Sequence, residues 1–221
     1  MGPYQRHVPR CCHLWPQTAS CIVDAGNRKK TTHDDQDSDW TRAGISLGAR
    51  TGAGQRAGAG NGNGAGTAIT APLTPKEAAQ LRWMREEEKL ARDVYRFLFT
   101  RWNVRIFANI GDSEEQHFRA IGTQLERFGV ADPSAGLEAG RFSGTRFAQL
   151  YAELTAKGAT SLKDALEVGI AIEQLDIADL ETALVETTQA SLKRAYTSLM
   201  TASYNHLDSF EMVLDVVNAR L

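Results

Sequence analysis

Six residues able to bind metal ions interrupt the apolar stripes of the predicted helices near mid-length. Glu114 and His117 stand three residues apart on one predicted helix, and Glu173 and Asp176 repeat that spacing on another. Residues three apart leave the same face of a helix, so each pair points in one direction. The set is Glu88, Glu114, His117, Glu173, Asp176 and His206.

The chemistry of this set favours metal binding. Four ionised carboxylates buried together cost several kcal/mol each unless cations neutralise them, and two divalent ions carry the matching charge. Carboxylate and imidazole ligands without thiolate suit iron or manganese better than copper(I) or structural zinc. The residues therefore predict a site for two iron ions, with manganese as the alternative.

Each member also has a structural interpretation. Ser113 and Gln116 would form a capping box if a helix began there, and Glu114 would then only complement that helix start. A run of three acids, Glu86 to Glu88, is typical of a solvated face, and within it the register of the stripe favours Glu88 over Glu87. His117 and His206, taken singly, are typical of hydrogen-bonded core histidines.

Two tyrosines lie close to this set in the helical register. Tyr95 is on the first helix and Tyr196 is on the last. Both are most simply packing residues with a bonded hydroxyl. The alternative is a hydrogen bond to a metal ligand, or a redox-active phenol beside the metal site.

Five helices must position these residues. The first has a capping-box start at Thr74-Pro75-Lys76-Glu77, and Gly129 stops the second. The predicted spans are from Thr74 to about Arg101, Arg105 to Phe128, a short helix from Phe147 to Gly158, Ser161 to about Leu184, and Ala190 to Ala219. Four of them are long and carry one apolar stripe each, which they can bury only against one another. We therefore predict an all-α four-helix bundle over residues 73–221, with the short helix inserted between the second and third main helices.

The first part of the chain differs from the helical region in its sequence pattern. Residues 1–72 show no helical or strand period, and the segment Gly52 to Gly66 is a Gly/Ala/Asn linker, so we predict a disordered region. All three cysteines fall in it, and its start lacks the apolar core of a secretory signal. A cytoplasmic location is the default expectation.

Charge and hydropathy exclude two partner classes. The chain has 25 basic and 27 acidic residues, which leaves no field that would steer it onto nucleic acid. It also lacks an apolar run of the ~20 residues that a membrane span needs.

The motifs resemble a known superfamily. Glu88-Lys-Leu-Ala-Arg92-x-x-Tyr95, Glu114-x-x-His117, Glu173-x-x-Asp176 and His206 are similar to the ferritin-like di-iron carboxylate proteins, rubrerythrin most closely. EEEKLARDVY, FANIGDSEEQH, VGIAIEQLDIADL and SYNHLDSF are similar to its DUF2202 branch, over roughly residues 73–218. The resemblance implies a ferritin-like four-helix bundle that binds two metal ions at these positions, and iron-dependent reduction of peroxide or oxygen.

One departure from the superfamily bears on the site. Its second Glu-x-x-His appears here as Ser203-x-x-His206, a loss that Asp176 could compensate. No rubredoxin-like cysteine module is present, so the expected partners are an external electron donor and a small-molecule oxidant or metal ion, with a homodimer as one option. The expected function is a di-iron oxidoreductase; the alternative is a non-catalytic metal-buffering or structural module with a degenerate site.

Overall fold

The computed structural model describes residues 71–220, which form five α-helices and no strand. The helices are α1 (Pro75–Trp102), α2 (Arg105–Phe128), α3 (Thr145–Gly158), α4 (Leu162–Glu186) and α5 (Ala190–Asn218). The predicted all-α fold is confirmed. The region predicted to be disordered lies outside the described residues except for its last two positions. Within the described part, no helix is both long and apolar enough to cross a membrane.

Local signals account for the helix ends. Thr74 caps α1, with its side chain accepting from the backbone N–H of Glu77 while the Glu77 carboxylate accepts from the Thr74 N–H. Gly129 ends α2 in the left-handed conformation, at φ 64°. The Ser161 side chain caps α4 by accepting from the backbone N–H of Asp164. The alternative helix start at Ser113 is wrong, because α2 runs without interruption through that residue.

The four long helices form a bundle in which neighbours run in opposite directions. Between α1 and α2, Tyr95 lies beside Gly111 whereas Arg92, one turn earlier, pairs with Glu115. Between α4 and α5, Gly169 lies against the ring of Phe210, and a Cβ at Gly169 would come within 2.7 Å of that ring. The remaining neighbours are α1 with α4 and α2 with α5.

The chain has to cross the bundle once. The backbones of α2 and α4 do not adjoin in the described part of the chain, so these consecutive long helices occupy opposite corners. The crossover runs through residues 129–161 and includes α3, which packs against α1 and α4. It covers the outer face of α1, and this explains why α1 is buried without interruption from Met84 to Tyr95.

Two apolar clusters fill the bundle, one toward each end of the helices. One contains Tyr95, Phe107 and Phe210, and the other contains Met84, Ile121 and Leu199. Along each long helix, the polar residues singled out in the sequence lie between members of the two clusters. Hydrocarbon therefore packs on both sides of a single polar layer.

Candidate metal centre

The polar layer brings the six predicted metal-binding residues into one buried region. Their exposed fractions lie between 1% for Glu88 and 9% for His206. Each long helix contributes at least one of them, because these polar residues lie on the apolar stripe that faces the bundle axis. The spacing of three within each pair turns both of its side chains inward.

Five of the six residues form two groups that share Glu114. Ligand atoms of Glu88, Glu114 and His117 all lie within 4.8 Å of one another, and so do those of Glu114, Glu173 and His206. The His117 Nδ1 is 2.8 Å from Glu114 Oε2 and 3.5 Å from Glu88 Oε2. The His206 Nδ1 is 2.9 Å from Glu114 Oε1 and 3.4 Å from Glu173 Oε2. Glu114 thus directs one oxygen to each group.

Several atoms in this layer are buried without a hydrogen-bond partner. They include Glu114 Oε1 and His206 Nδ1, which are close but not aligned for a hydrogen bond. Glu88 Oε1 and Asp176 Oδ1 are also unpartnered among the described residues. Buried polar atoms are nearly always satisfied in native proteins, so this concentration of unused lone pairs marks the layer as a candidate binding site.

The two imidazoles determine the charge state of Glu114. Burial raises the pKa of Glu114, but the hydrogen bond from His117, the close contact with His206 and the positive charge of both imidazoles outweigh burial and lower it to about 2. For the histidines, burial lowers the pKa while the carboxylates raise it, to about 11 for His117 and about 9 for His206. At neutral pH the metal-free layer therefore holds two imidazolium ions around one carboxylate.

The pKa values of the other carboxylates are raised instead. Burial, followed by the negative charge of Asp176, raises the pKa of Glu88 well above its ordinary value. Burial and the charge of Glu114 raise the pKa of Glu173 to about 8 and that of Asp176 to about 7. In the metal-free protein, protons bound to these carboxylates reduce the negative charge of the layer.

Two further side chains hold candidate ligands in place. Tyr95 donates a 2.6 Å hydrogen bond from its hydroxyl to Glu173 Oε1. The Ser113 hydroxyl lies 3.0 Å from Nε2 of His206, the ring nitrogen that faces away from the carboxylates. A second partner of this kind fixes the orientation and tautomer of a histidine ligand.

Asp176 and Ser203 form a separate contact at the edge of the layer. The Ser203 hydroxyl is fully buried and donates to Asp176 Oδ2 at 2.6 Å. Asp176 belongs to neither of the two groups around Glu114. Ser203 therefore positions the carboxylate of Asp176 on α4.

The structure does not bring Tyr196 to this layer. Tyr196 packs in the apolar cluster with Met84 and Leu199, and its hydroxyl has no partner among residues 71–220. Burial and the charge of Glu77, at the start of α1, raise its pKa. Of the two tyrosines considered from the sequence, Tyr95 alone contacts a candidate ligand.

Glu87 is a buried acid that the sequence reasoning set aside. The expectation of a solvated face for Glu86 to Glu88 is wrong, because the crossover covers α1 and all three are at most 8% exposed. Both carboxylate oxygens of Glu87 lack a hydrogen-bond partner among the described residues. Burial and the charges of Asp179, Asp176 and Glu88 raise its pKa well above its usual value. No local sequence signal distinguishes such an acid from an exposed one.

Comparison with known proteins places the helical region in a family. Residues 77–220 match the family described as an uncharacterized protein domain (DUF2202). The chain is 44% identical over 144 residues to the uncharacterized protein MJ0754 of Methanocaldococcus jannaschii, which covers 65% of this chain and 78% of that protein. The crystal structure of the hypothetical protein MJ0754 from Methanococcus jannaschii is similar, with a TM-score of 0.65 and 43% identity over 66% of this chain and 84% of that one.

Proposed function

The chain belongs to the DUF2202 family, and from that premise we propose that its polar layer binds two divalent transition-metal ions, iron or manganese. We propose that the metal-loaded protein is an oxidoreductase that reacts with peroxide or oxygen. The observation that carries the proposal is the pair of ligand groups that share Glu114. A carboxylate with one oxygen directed to each group is the arrangement that bridging two ions requires.

The order of the helices supports a ferritin-like bundle around this site. Bundles of that type have one long crossover between their second and third main helices. Residues 129–161 make such a crossover here, between α2 and α4 at opposite corners. We therefore propose that the four long helices form a ferritin-like four-helix bundle and that α3 is part of the crossover.

The donor set fits iron or manganese. Carboxylate oxygens and imidazole nitrogens suit both metals, and no thiolate is present among residues 71–220. The unpartnered atoms Glu88 Oε1, Glu114 Oε1, Asp176 Oδ1 and His206 Nδ1 offer lone pairs that the protein itself leaves unused. Glu88 and His117 would hold one ion, Glu173 and His206 the other, and Glu114 would bridge them, with Asp176 available beside Glu88.

The surrounding residues prepare the site for redox chemistry. Two bound ions would supply electrons by cycling between their +2 and +3 states. The apolar clusters on both sides exclude bulk water, and this strengthens electrostatic interactions within the layer. Tyr95 holds Glu173 by its hydroxyl and Ser113 contacts His206, so the ligands are oriented before an ion arrives.

The test is metal content followed by reactivity. We expect about two iron or manganese ions per chain after anaerobic titration, and optical changes of the iron-loaded protein when peroxide is added. A protein that binds two ions but does not react with peroxide would favour metal buffering, the alternative that Ser203 supports by standing in place of a glutamate. A protein that binds no metal would contradict both functions.

A further inference from the structure

We propose that Glu87 and Asp179 form a transfer site through which divalent cations reach the metal centre along the seam between α1 and α4. The inference rests on the proposed function, because a transfer site requires a metal centre as its destination. The seam is defined here by Trp83 and Glu87 of α1 and by Asp176 and Asp179 of α4.

Glu87 is the residue that requires an explanation. Its side chain is buried, with 2% of its surface exposed, and neither carboxylate oxygen has a hydrogen-bond partner in the described chain. A buried carboxylate that no group satisfies is costly, and proteins rarely retain one without a role. Glu86, its neighbour, is also buried but accepts a 2.7 Å hydrogen bond from the Ser143 backbone N–H. Of the three consecutive acids Glu86 to Glu88, Glu87 is the one whose two carboxylate oxygens are both buried and unpartnered among the described residues.

Contacts at two levels locate Glu87 within the seam. The Trp83 indole N–H donates to Asp179 Oδ2 at 2.8 Å, and further along the antiparallel pair Tyr95 contacts Glu173. Glu87 lies one helical turn from Trp83 in the direction of Tyr95, and Asp176 lies one turn from Asp179 in the direction of Glu173. Glu87 is consequently placed between Asp179 and the metal centre, at the level of Asp176.

The exposure of the acids falls from Asp179 toward the layer. Asp179 is partly exposed, whereas Glu87, Asp176 and Glu88 are buried. The charges of Asp179, Asp176 and Glu88 all act on Glu87, so these four carboxylates lie near one another. Arg146 of α3 places positive charge near Asp179, which an entering cation would replace. Oxygen ligands in series suit a divalent cation that moves stepwise and is not retained.

Cobaltous ion is a suitable probe, because its visible absorption reports entry into a nitrogen and oxygen site. We would mix the full chain, freed of metal, with Co²⁺ in a stopped-flow instrument and compare wild type with Glu87→Gln and Asp179→Asn. We expect both variants to load about tenfold more slowly, because an acidic entrance raises the local cation concentration. The number of ions bound at saturation should remain that of the wild type. Glu86→Gln is the matched control and should load at the wild-type rate.

Other outcomes would overturn the proposal. If wild type binds two ions and both variants load at its rate, cations enter elsewhere, for instance past His117 and His206, which are 8% and 9% exposed. If Glu87→Gln binds fewer ions at saturation, Glu87 is a ligand of the metal centre and not a transfer group. If wild type itself binds no Co²⁺, the proposed function fails first, and this result differs from the other two. Asp179→Asn, which still offers an acceptor to Trp83, keeps the test decisive should Glu87→Gln not fold.

Discussion

Glu114 and Glu88 are both buried glutamates of the polar layer, yet their surroundings are opposite. Glu114 has an imidazole nitrogen within 3 Å of each oxygen, and its pKa is lowered to about 2. Glu88 has one unpartnered oxygen, and burial and negative charge raise its pKa. Removing the negative charge should therefore have opposite effects at the two positions.

We expect Glu88→Gln to raise the free energy of unfolding of the metal-free protein by about 1 kcal/mol, because it replaces a poorly satisfied buried acid with a neutral isostere. The same variant should lose most of the stabilisation that metal gives the wild type. Urea denaturation with a chelator, and again with excess Mn²⁺, measures both effects. Glu86→Gln is the control. Glu86 accepts a hydrogen bond from the Ser143 N–H, and the variant should respond to Mn²⁺ as wild type does. A Glu88→Gln protein with the full metal response would show that Glu88 is not a ligand.

Ser203 provides a second test at this scale. We expect Ser203→Glu to lower metal-free stability by about 1–3 kcal/mol, because it enlarges a fully buried residue beside Asp176. With metal, the added carboxylate supplies one more oxygen ligand beside Asp176, so binding should be tighter. Competition with a chelator measures the affinity. Weaker binding in this variant would mean that Ser203 does not face the ions.

At the scale of elements, the start of α1 also holds the loop between α4 and α5. Glu77 closes the capping box with Thr74, and its Oε1 accepts from the Thr187 hydroxyl at 3.0 Å and from the Thr188 N–H at 3.1 Å. Burial raises the pKa of Glu77, but these hydrogen bonds outweigh burial and lower it to about 2. One carboxylate thus joins the first helix to the last interhelical loop.

The lowered pKa of Glu77 predicts that its contribution to the free energy of unfolding depends on pH. A carboxylate whose pKa is lower in the folded state stabilises above its unfolded value of 4.5 and loses that effect as the pH falls toward 2. Glu77→Gln should therefore be less stable than wild type by about 1–2 kcal/mol at neutral pH, with the difference narrowing in acid. Urea denaturation of both proteins at several pH values measures this. A difference that does not change with pH would exclude the charge of Glu77 as the cause.

The crossover is attached to α1 by a buried ion pair. Asp93 accepts from Lys89 Nζ at 2.5 Å, from Arg92 and from the Gly140 N–H, while Lys89 also donates to the Glu138 carbonyl. Lys89 and Asp93 are almost fully buried. Because the partners come from both α1 and the crossover, this network holds the crossover over the outer face of α1.

We expect Asp93→Asn to destabilise the protein by about 3 kcal/mol, since it leaves the buried charge of Lys89 without its counter-ion. Glu115→Gln is a suitable comparison, because Glu115 also pairs with arginines but lies nearer the surface. Surface pairs of that kind contribute under about 1 kcal/mol. Thermal and urea denaturation of the two variants measure the contrast. Equal losses of stability in the two variants would show that burial does not increase the contribution of the Lys89 network to stability.

For the whole molecule, the polar layer lies between the two apolar clusters of the core. Metal bound in this layer should raise the free energy of unfolding of the whole bundle. Two ions that bind only the folded chain add stability of RT ln(1 + [L]/Kd) per site, about 2.7 kcal/mol at a hundredfold excess over Kd. We expect thermal melts under anaerobic conditions to shift upward with Fe²⁺ or Mn²⁺. Glu173→Ala should shift much less, because it removes a ligand of one group. Identical shifts in both proteins would place metal binding outside the polar layer.

Much of this arrangement follows from local sequence signals. The capping residues Thr74 and Ser161, the stop at Gly129 and the apolar stripes act within a few residues of chain, so they can be read without a tertiary structure. The spacing of Glu114 with His117 likewise places both side chains on one face before any packing is known. The helices, their inward faces and the burial of the six candidate residues were therefore predictable, whereas metal binding by those residues stays a prediction.

The tertiary structure decided how those residues meet. In sequence, Glu114 and Glu173 are equivalent acids, but only Glu114 lies between the two histidines, because α2 and α5 are neighbours. Glu87 is indistinguishable from an exposed acid until the crossover buries α1 and α4 places Asp179 beside it. Helical periodicity determines which side chains share a face of one helix. Contacts between helices depend on which faces pack together, and this packing is determined by interactions between residues far apart in the chain.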